Sequence, residues 1–182
     1  MKLNLNDDFT RLPRAGSFLR AADTGGEEAF DTAVLAHDER HLRRKVLVLG
    51  GGGKVLVDLP EPVALDDGDQ LVLDDGRRVG IAAAEEELYV IGARDRLHLA
   101  ELCWHIGNRH LAAQIEEERM LILRDHVIRD MLVGLGAEVT DTVEPFRPVR
   151  GAYSGHAHGH GHEERDKFGR LPGDPHYGHN HA

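Results

Sequence analysis

Gly92-Ala93-Arg94-Asp95-Arg96-Leu97-His98-Leu99-Ala100-Glu101-Leu102-Cys103-Trp104-His105-Ile106 is where the chain changes its hydrophobic period, and that change fixes the fold class. From Arg96 onward apolar residues recur at helical spacing, so one face of a helix can be buried. Gly107-Asn108 follows as a stop, since glycine and asparagine tolerate the left-handed conformation that ends helices. Upstream, short apolar strands alternate with turn signals. Lys45-Val46-Leu47-Val48-Leu49 and Lys54-Val55-Leu56-Val57-Asp58-Leu59 read as strands around Gly50 to Gly53, and Asp66-Asp67-Gly68 and Asp74-Asp75-Gly76 mark further tight reversals. Residues 1–92 are therefore read as an all-β domain. Its first 44 residues are vaguer, with one more strand expected at Thr32 to Leu35.

Downstream of the helix, Leu111 to Ile115 and Met120 to Leu123 look like strands. Asp125 can cap a second helix from His126 to Leu135, with Gly134 and Gly136 near its end and a strand at Glu138 to Thr142 beyond. If Leu88 to Ile91 opens this unit, the order is βαββαβ, a ferredoxin-like split βαβ, with a domain at 93–152. The class is α+β. Past Tyr153 every periodic apolar pattern is lost to glycine, proline, charge and histidine, which cannot offset the entropy of ordering, so 153–182 is expected to be a disordered tail.

A chain of 182 residues fits two small domains and a tail. The formal charge of -10, from 32 acidic against 22 basic residues, repels nucleic acid and anionic membranes and suits a cationic partner. Met1 to Leu12 lack the apolar core of a secretory signal, and no apolar run is long enough to span a bilayer. With Cys103 the only cysteine, no intrachain disulfide can form, which suits a reducing cytoplasm.

Seven of the 13 histidines fall in the last 29 residues: His156, His158, His160, His162, His176, His179 and His181. The first four alternate with Ala157, Gly159 and Gly161, small residues that let the backbone wrap several imidazoles round one ion. Neutral imidazole suits nickel, zinc and copper, and metal must compete with protons, so capacity should fall below about pH 6. A cloning tag, a pH-sensitive linker or low-complexity drift are the competing readings. The interspersed Glu163, Asp166, Phe168 and Tyr177 argue against a tag. Flexible imidazoles do not select among metals, so selectivity requires a folded site.

The folded candidate is His110, just after the helix stop at the entry to a strand. Trp104-His105-Ile106-Gly107-Asn108-Arg109-His110 is followed by Gln114-Ile115, Leu123-Arg124-Asp125-His126-Val127, Asp130-Met131-Leu132, Pro145-Phe146 and Gly151-Ala152-Tyr153. In that order, with a histidine-rich tail behind it, the run resembles the signature of the UreE metallochaperones that serve urease. The resemblance implies a homodimer in which two copies of His110 meet near a two-fold axis and share one Ni(II), with tail histidines completing the shell. It also implies the GTPase UreG and the urease apoprotein with its other accessory proteins as partners, and an N-terminal half of the type often described as peptide-binding. His126 matches a second metal-associated position of the family. Arg124 stands where some members carry histidine, a departure that weakens a site built from that pair.

Other candidates read as structural. His105, seven residues after His98, is expected to pack or hydrogen-bond on the helix face they share. His37 and His41 have a two-ligand spacing, but Asp38-Glu39-Arg40 looks like a solvated turn, and Cys103 reads as a buried thiol. Gly50 to Gly53 with Lys54 is no phosphate loop, because Val55 stands where Ser or Thr is needed and a strand follows. Asp66 to Asp69 and Asp74-Asp75 lack calcium-loop spacing, and no nucleophile elbow or zinc-protease helix occurs. No catalytic constellation emerges. The expectation is a carrier that captures Ni(II) and delivers it to urease, binding Zn(II) or Cu(II) as well in vitro. The alternatives are a nickel or zinc store acting through the tail alone, and an adaptor recruiting partners through the β domain.

Overall fold

The structure is a computed structural model describing residues 12–150; the tail and its seven histidines lie outside the described residues. Six strands, β1 (Arg14–Leu19), β2 (Asp31–Leu35), β3 (His41–Val48), β4 (Lys54–Ala64), β5 (Gln70–Leu73) and β6 (Arg78–Ala83), form one mixed sheet in the order β2-β6-β5-β1-β4-β3. Alternate residues Val55, Val57 and Leu59 of β4 are buried with Leu47, Leu71, Val79 and Ile81 in its core. Gly68 at φ 89° and Gly76 at φ 85° make the expected Asp-Gly reversals.

Two features of this sheet depart from the sequence reading. β1 lay in the vague region, yet it is a central strand, parallel to β4 and antiparallel to β5. β4 runs to Ala64 instead of Leu59, through Pro60 and Pro62. The ladder with β3 jumps from Leu42↔Val63 to Arg44↔Asp58, so the prolines, which have no N–H to donate, sit in the unpaired bulge.

The second sheet comes from β7 (Glu85–Gly92), α1 (Arg96–Gly107), β8 (Ala113–Ile115), β9 (Arg119–Leu123), α2 (His126–Gly134) and β10 (Glu138–Pro145), in βαββαβ order. All its pairings are antiparallel, in the order β10-β7-β9-β8. β7 lies within the span read as the all-β domain, yet it pairs with β9 and β10 of this second sheet. Leu99, Leu102 and Ile106 of α1 and Leu132 of α2 pack with Ile91, Met120 and Ile122. Asp95 caps α1 by accepting from His98 N at 2.8 Å, and Asp125 caps α2 by accepting from Val127 N and Ile128 N at 2.8 and 3.1 Å. α2 closes with Gly136 at φ 85° and Ala137 N donating to Leu132 O at 3.0 Å, a Schellman-type end.

The segment after β10 straps the two sheets together. Phe146 is fully buried beside Leu88 and Leu121, its ring meets His37 edge-on at 5.2 Å, and its carbonyl accepts from Arg40 Nη2. Arg147 Nε donates to Asp67 at 2.7 Å, and Arg150 Nη2 lies 2.6 Å from Asp66. Partial burial works against the Asp67 carboxylate, but the Ala83 N–H and Arg147 outweigh it and hold its pKa below the usual carboxylate range. A depressed native pKa gives stability that is present above the unfolded value of about 3.9 and lost as pH falls through the native one. Asp67→Asn should therefore cost about 1 kcal/mol, or about 2–4 °C in melting temperature, at pH 7. Thermal melts at pH 3 should show that difference shrinking; an equal loss at both pH values refutes the assignment.

Candidate metal centre

His110 stands on a turn with an unusual backbone. The helix stops at Gly107 with Asn108 as its C-cap, as expected, but neither takes the left-handed conformation: Asn108 stays right-handed at φ -64°, and the left-handed residue is His110 at φ 54°. The cause is a tightened last turn, in which Arg109 N donates to Ile106 O at 3.0 Å and His110 N to Gly107 O at 2.9 Å. Arg109 Nη1 adds a bond to the His105 carbonyl at 2.8 Å, which carries the coil two residues further before it must reverse. His110 is the only non-glycine residue with positive φ among the described residues. A left-handed L-residue costs about 1–2 kcal/mol, and such strain gathers at functional positions. Its side chain is exposed.

Large apolar groups stay exposed on α1 and next to His110. Leu97 and Trp104, 72% and 65% exposed, lie two helical turns apart on the α1 face opposite the core, and Leu111 next to His110 is 38% exposed. Among the described residues no three His, Cys, Asp or Glu side chains come together to hold a metal, so none of them completes a ligand set around His110.

His126 is exposed at the first position of α2, where the helix dipole's positive end disfavours a cation by about 0.3–1 kcal/mol. Arg124 is committed elsewhere: Nη2 donates to Thr142 O at 3.0 Å, and Nη1 lies 3.5 Å from Asp141. Cys103 packs against the second core with its Sγ 3.8 Å from Met120 Sδ, and burial pushes its thiol pKa up, which opposes thiolate ligation at neutral pH. His105 is half-buried against the Trp104 ring at 5.0 Å.

His98 carries a role that the sequence hid. It is 2% exposed, accepts from Arg94 N at Nδ1 at 3.2 Å and donates from Nε2 to Leu135 O at 3.0 Å, tying the start of α1 to the end of α2. His37 lies in a turn as expected but is half-buried, because its backbone N and Nδ1 both meet Glu86 of β7, at 2.8 and 2.9 Å. Neither partner is close enough in sequence to signal the contact.

The family model described as the UreE urease accessory protein, C-terminal domain, matches residues 86–182, and the model of the UreE N-terminal domain matches residues 11–84. A urease accessory protein UreE of Mesorhizobium japonicum is 68% identical over 155 residues, 85% of this chain and 79% of its own length. The protein of that name from Brucella anthropi is 61% identical over 82% of this chain and 86% of its own. The one from Agrobacterium fabrum is 59% identical over 78% and 88%.

Proposed function

The chain belongs to the UreE family of urease accessory proteins, and from that premise we propose that it is the nickel carrier of urease maturation. In this reading the tail at 153–182 captures Ni(II), a homodimer of the ferredoxin-like domain holds it between two His110 side chains, and the ion passes to the urease apoprotein. The β domain and UreG belong to the handover, and the cytoplasm is where it occurs. The observation that carries the reading is His110 itself, exposed on a strained left-handed turn that the fold has no structural reason to give to histidine.

Two further features support it. A lone imidazole is a poor site, and the exposed apolar Leu97 and Trp104 on the helix that leads to it suit a self-complementary contact with a second copy. Val149 N donates to Ala113 O at 2.9 Å, which roots the tail three residues from His110. The seven residue steps from Val149 to His156 span at most about 25 Å, so the first tail histidine is within tether of the site. Imidazoles with open positions exchange a metal readily, as a carrier must allow.

Equilibrium dialysis with nickel on the full chain and on a chain ending at Tyr153 tests the division of labour. Truncation should lower the number of ions bound while leaving about one per two chains. Loss of all binding would make the protein a store acting through its tail. Urease activation in cells lacking the protein should then be restored fully by the full chain and partly by the shortened one.

A further inference from the structure

Where the strap meets the β unit there is an open cavity of about 440 Å3, walled by charged residues around Arg40 and by the apolar Leu65, Pro148 and Val149. That volume is in the range of small-molecule sites. Arg40 is 5% exposed, and its Nε has no hydrogen-bond partner among the described residues. One of its nitrogens is occupied, since Nη2 donates to the Phe146 carbonyl. No carboxylate of the described residues comes within ion-pair distance of it. Burial lowers its pKa, and through-space attraction from Glu86, Asp67 and Asp66 offsets that only in part.

The acids nearby are already engaged. Asp67 accepts from Arg147 Nε and Ala83 N at 2.7 and 2.8 Å, Asp66 meets Arg150 Nη2 at 2.6 Å, and Glu86 is held at both oxygens by His37. A guanidinium this buried without a counter-ion is costly, and a carboxylate is a counter-ion that can also accept its hydrogen bonds.

We infer that the junction cavity binds a small aliphatic monocarboxylate, with its oxygens on the Arg40 guanidinium and its apolar end against Leu65, Pro148 and Val149. On the same wall Asp67 and Asp66 are paired with Arg147 and Arg150, which leaves the single charge of Arg40 to be met, so a monoanion fits and a dianion such as hydrogen phosphate leaves an uncompensated negative charge. The bound acid lies between residues of both units and stabilises their docking.

The full-length protein is titrated with sodium butyrate, acetate, phosphate and chloride at constant ionic strength, following arginine Nε–H resonances by NMR. Arg40→Lys assigns the Arg40 signal. Butyrate should move that signal along a saturating curve and raise the melting temperature by about 3 °C at ten times its dissociation constant. Acetate should bind more weakly, and phosphate no better than chloride. Val149→Asp, at a half-exposed wall position, leaves Arg40 in place and should weaken butyrate at least about 10-fold. A shift linear in butyrate, or one that chloride reproduces, overturns the site and leaves the cavity to water. Equal binding of phosphate overturns the monocarboxylate assignment.

Discussion

Replacing His110 with glycine should remove nickel from the folded part of the chain and leave the metal-free fold at least as stable as the parent. The two effects have separate causes. At φ 54° the histidine backbone costs about 1–2 kcal/mol that glycine does not pay, while the freer unfolded glycine returns about 0.5–1 kcal/mol of that gain. The imidazole is exposed and makes no side-chain bond with the described residues, so its loss opens no cavity. Metal binding moves the other way. In the proposed symmetric site, removing the residue deletes both copies of His110 at once, and affinity should fall by at least about 100-fold.

The measurement is made on a chain ending at Tyr153, so that tail imidazoles do not mask the site. Nickel at about 100 times its dissociation constant should raise the parent's melting temperature by about 5–10 °C and the variant's not at all. His110→Ala, which keeps the strained backbone, should lose the metal with stability little changed. A glycine variant destabilised by more than about 1 kcal/mol that still takes up nickel would make His110 a structural residue.

What could be read from the sequence was local. The Asp-Gly turns at Gly68 and Gly76, the Asp125 cap and the switch of period after Gly92 are each set by neighbours a few residues apart, and each lies where the residues place it. β1 escaped because Arg-Ala-Gly-Ser-Phe-Leu has little apolar alternation; its strand character comes from β4 and β5, some forty to sixty residues away in the chain. The proline-bearing half of β4 escaped because a bulge, not a ladder, accommodates it. At the site, histidine at position 110 stood out from its motif and the helix stop at Gly107-Asn108 fell where expected, whereas the left-handed backbone, two residues later at His110, depended on where the last helical hydrogen bond fell. The Arg40–Phe146 and His37–Glu86 contacts join residues far apart in sequence, and only the folded strap brings them together.

Trp104→Glu should convert the proposed dimer to monomer. Trp104 and Leu97 contribute nothing to either core, yet each leaves most of a large apolar side chain in water on the outer face of the helix that leads to His110. A tryptophan buries roughly 150–250 Å2 when covered, worth about 3 kcal/mol at the usual rate per unit area after allowing for the part already shielded. In a two-fold contact each residue counts twice, and glutamate there would bring like charges together in a chain already at -10. The dimer dissociation constant should rise at least about 1,000-fold, so sedimentation at micromolar concentration should find monomer where the parent is dimeric. The monomer itself should melt within about 0.5 kcal/mol of the parent's intrinsic stability, because an exposed position is altered. Nickel binding by the chain ending at Tyr153 should fall as far as it does in the His110 variants even though His110 is intact, since each separated chain retains only one imidazole of the proposed His110 pair. A Trp104→Glu protein that stays dimeric would move the interface off this helix face, and one that is monomeric but holds nickel with parental affinity would show that the site needs no second copy.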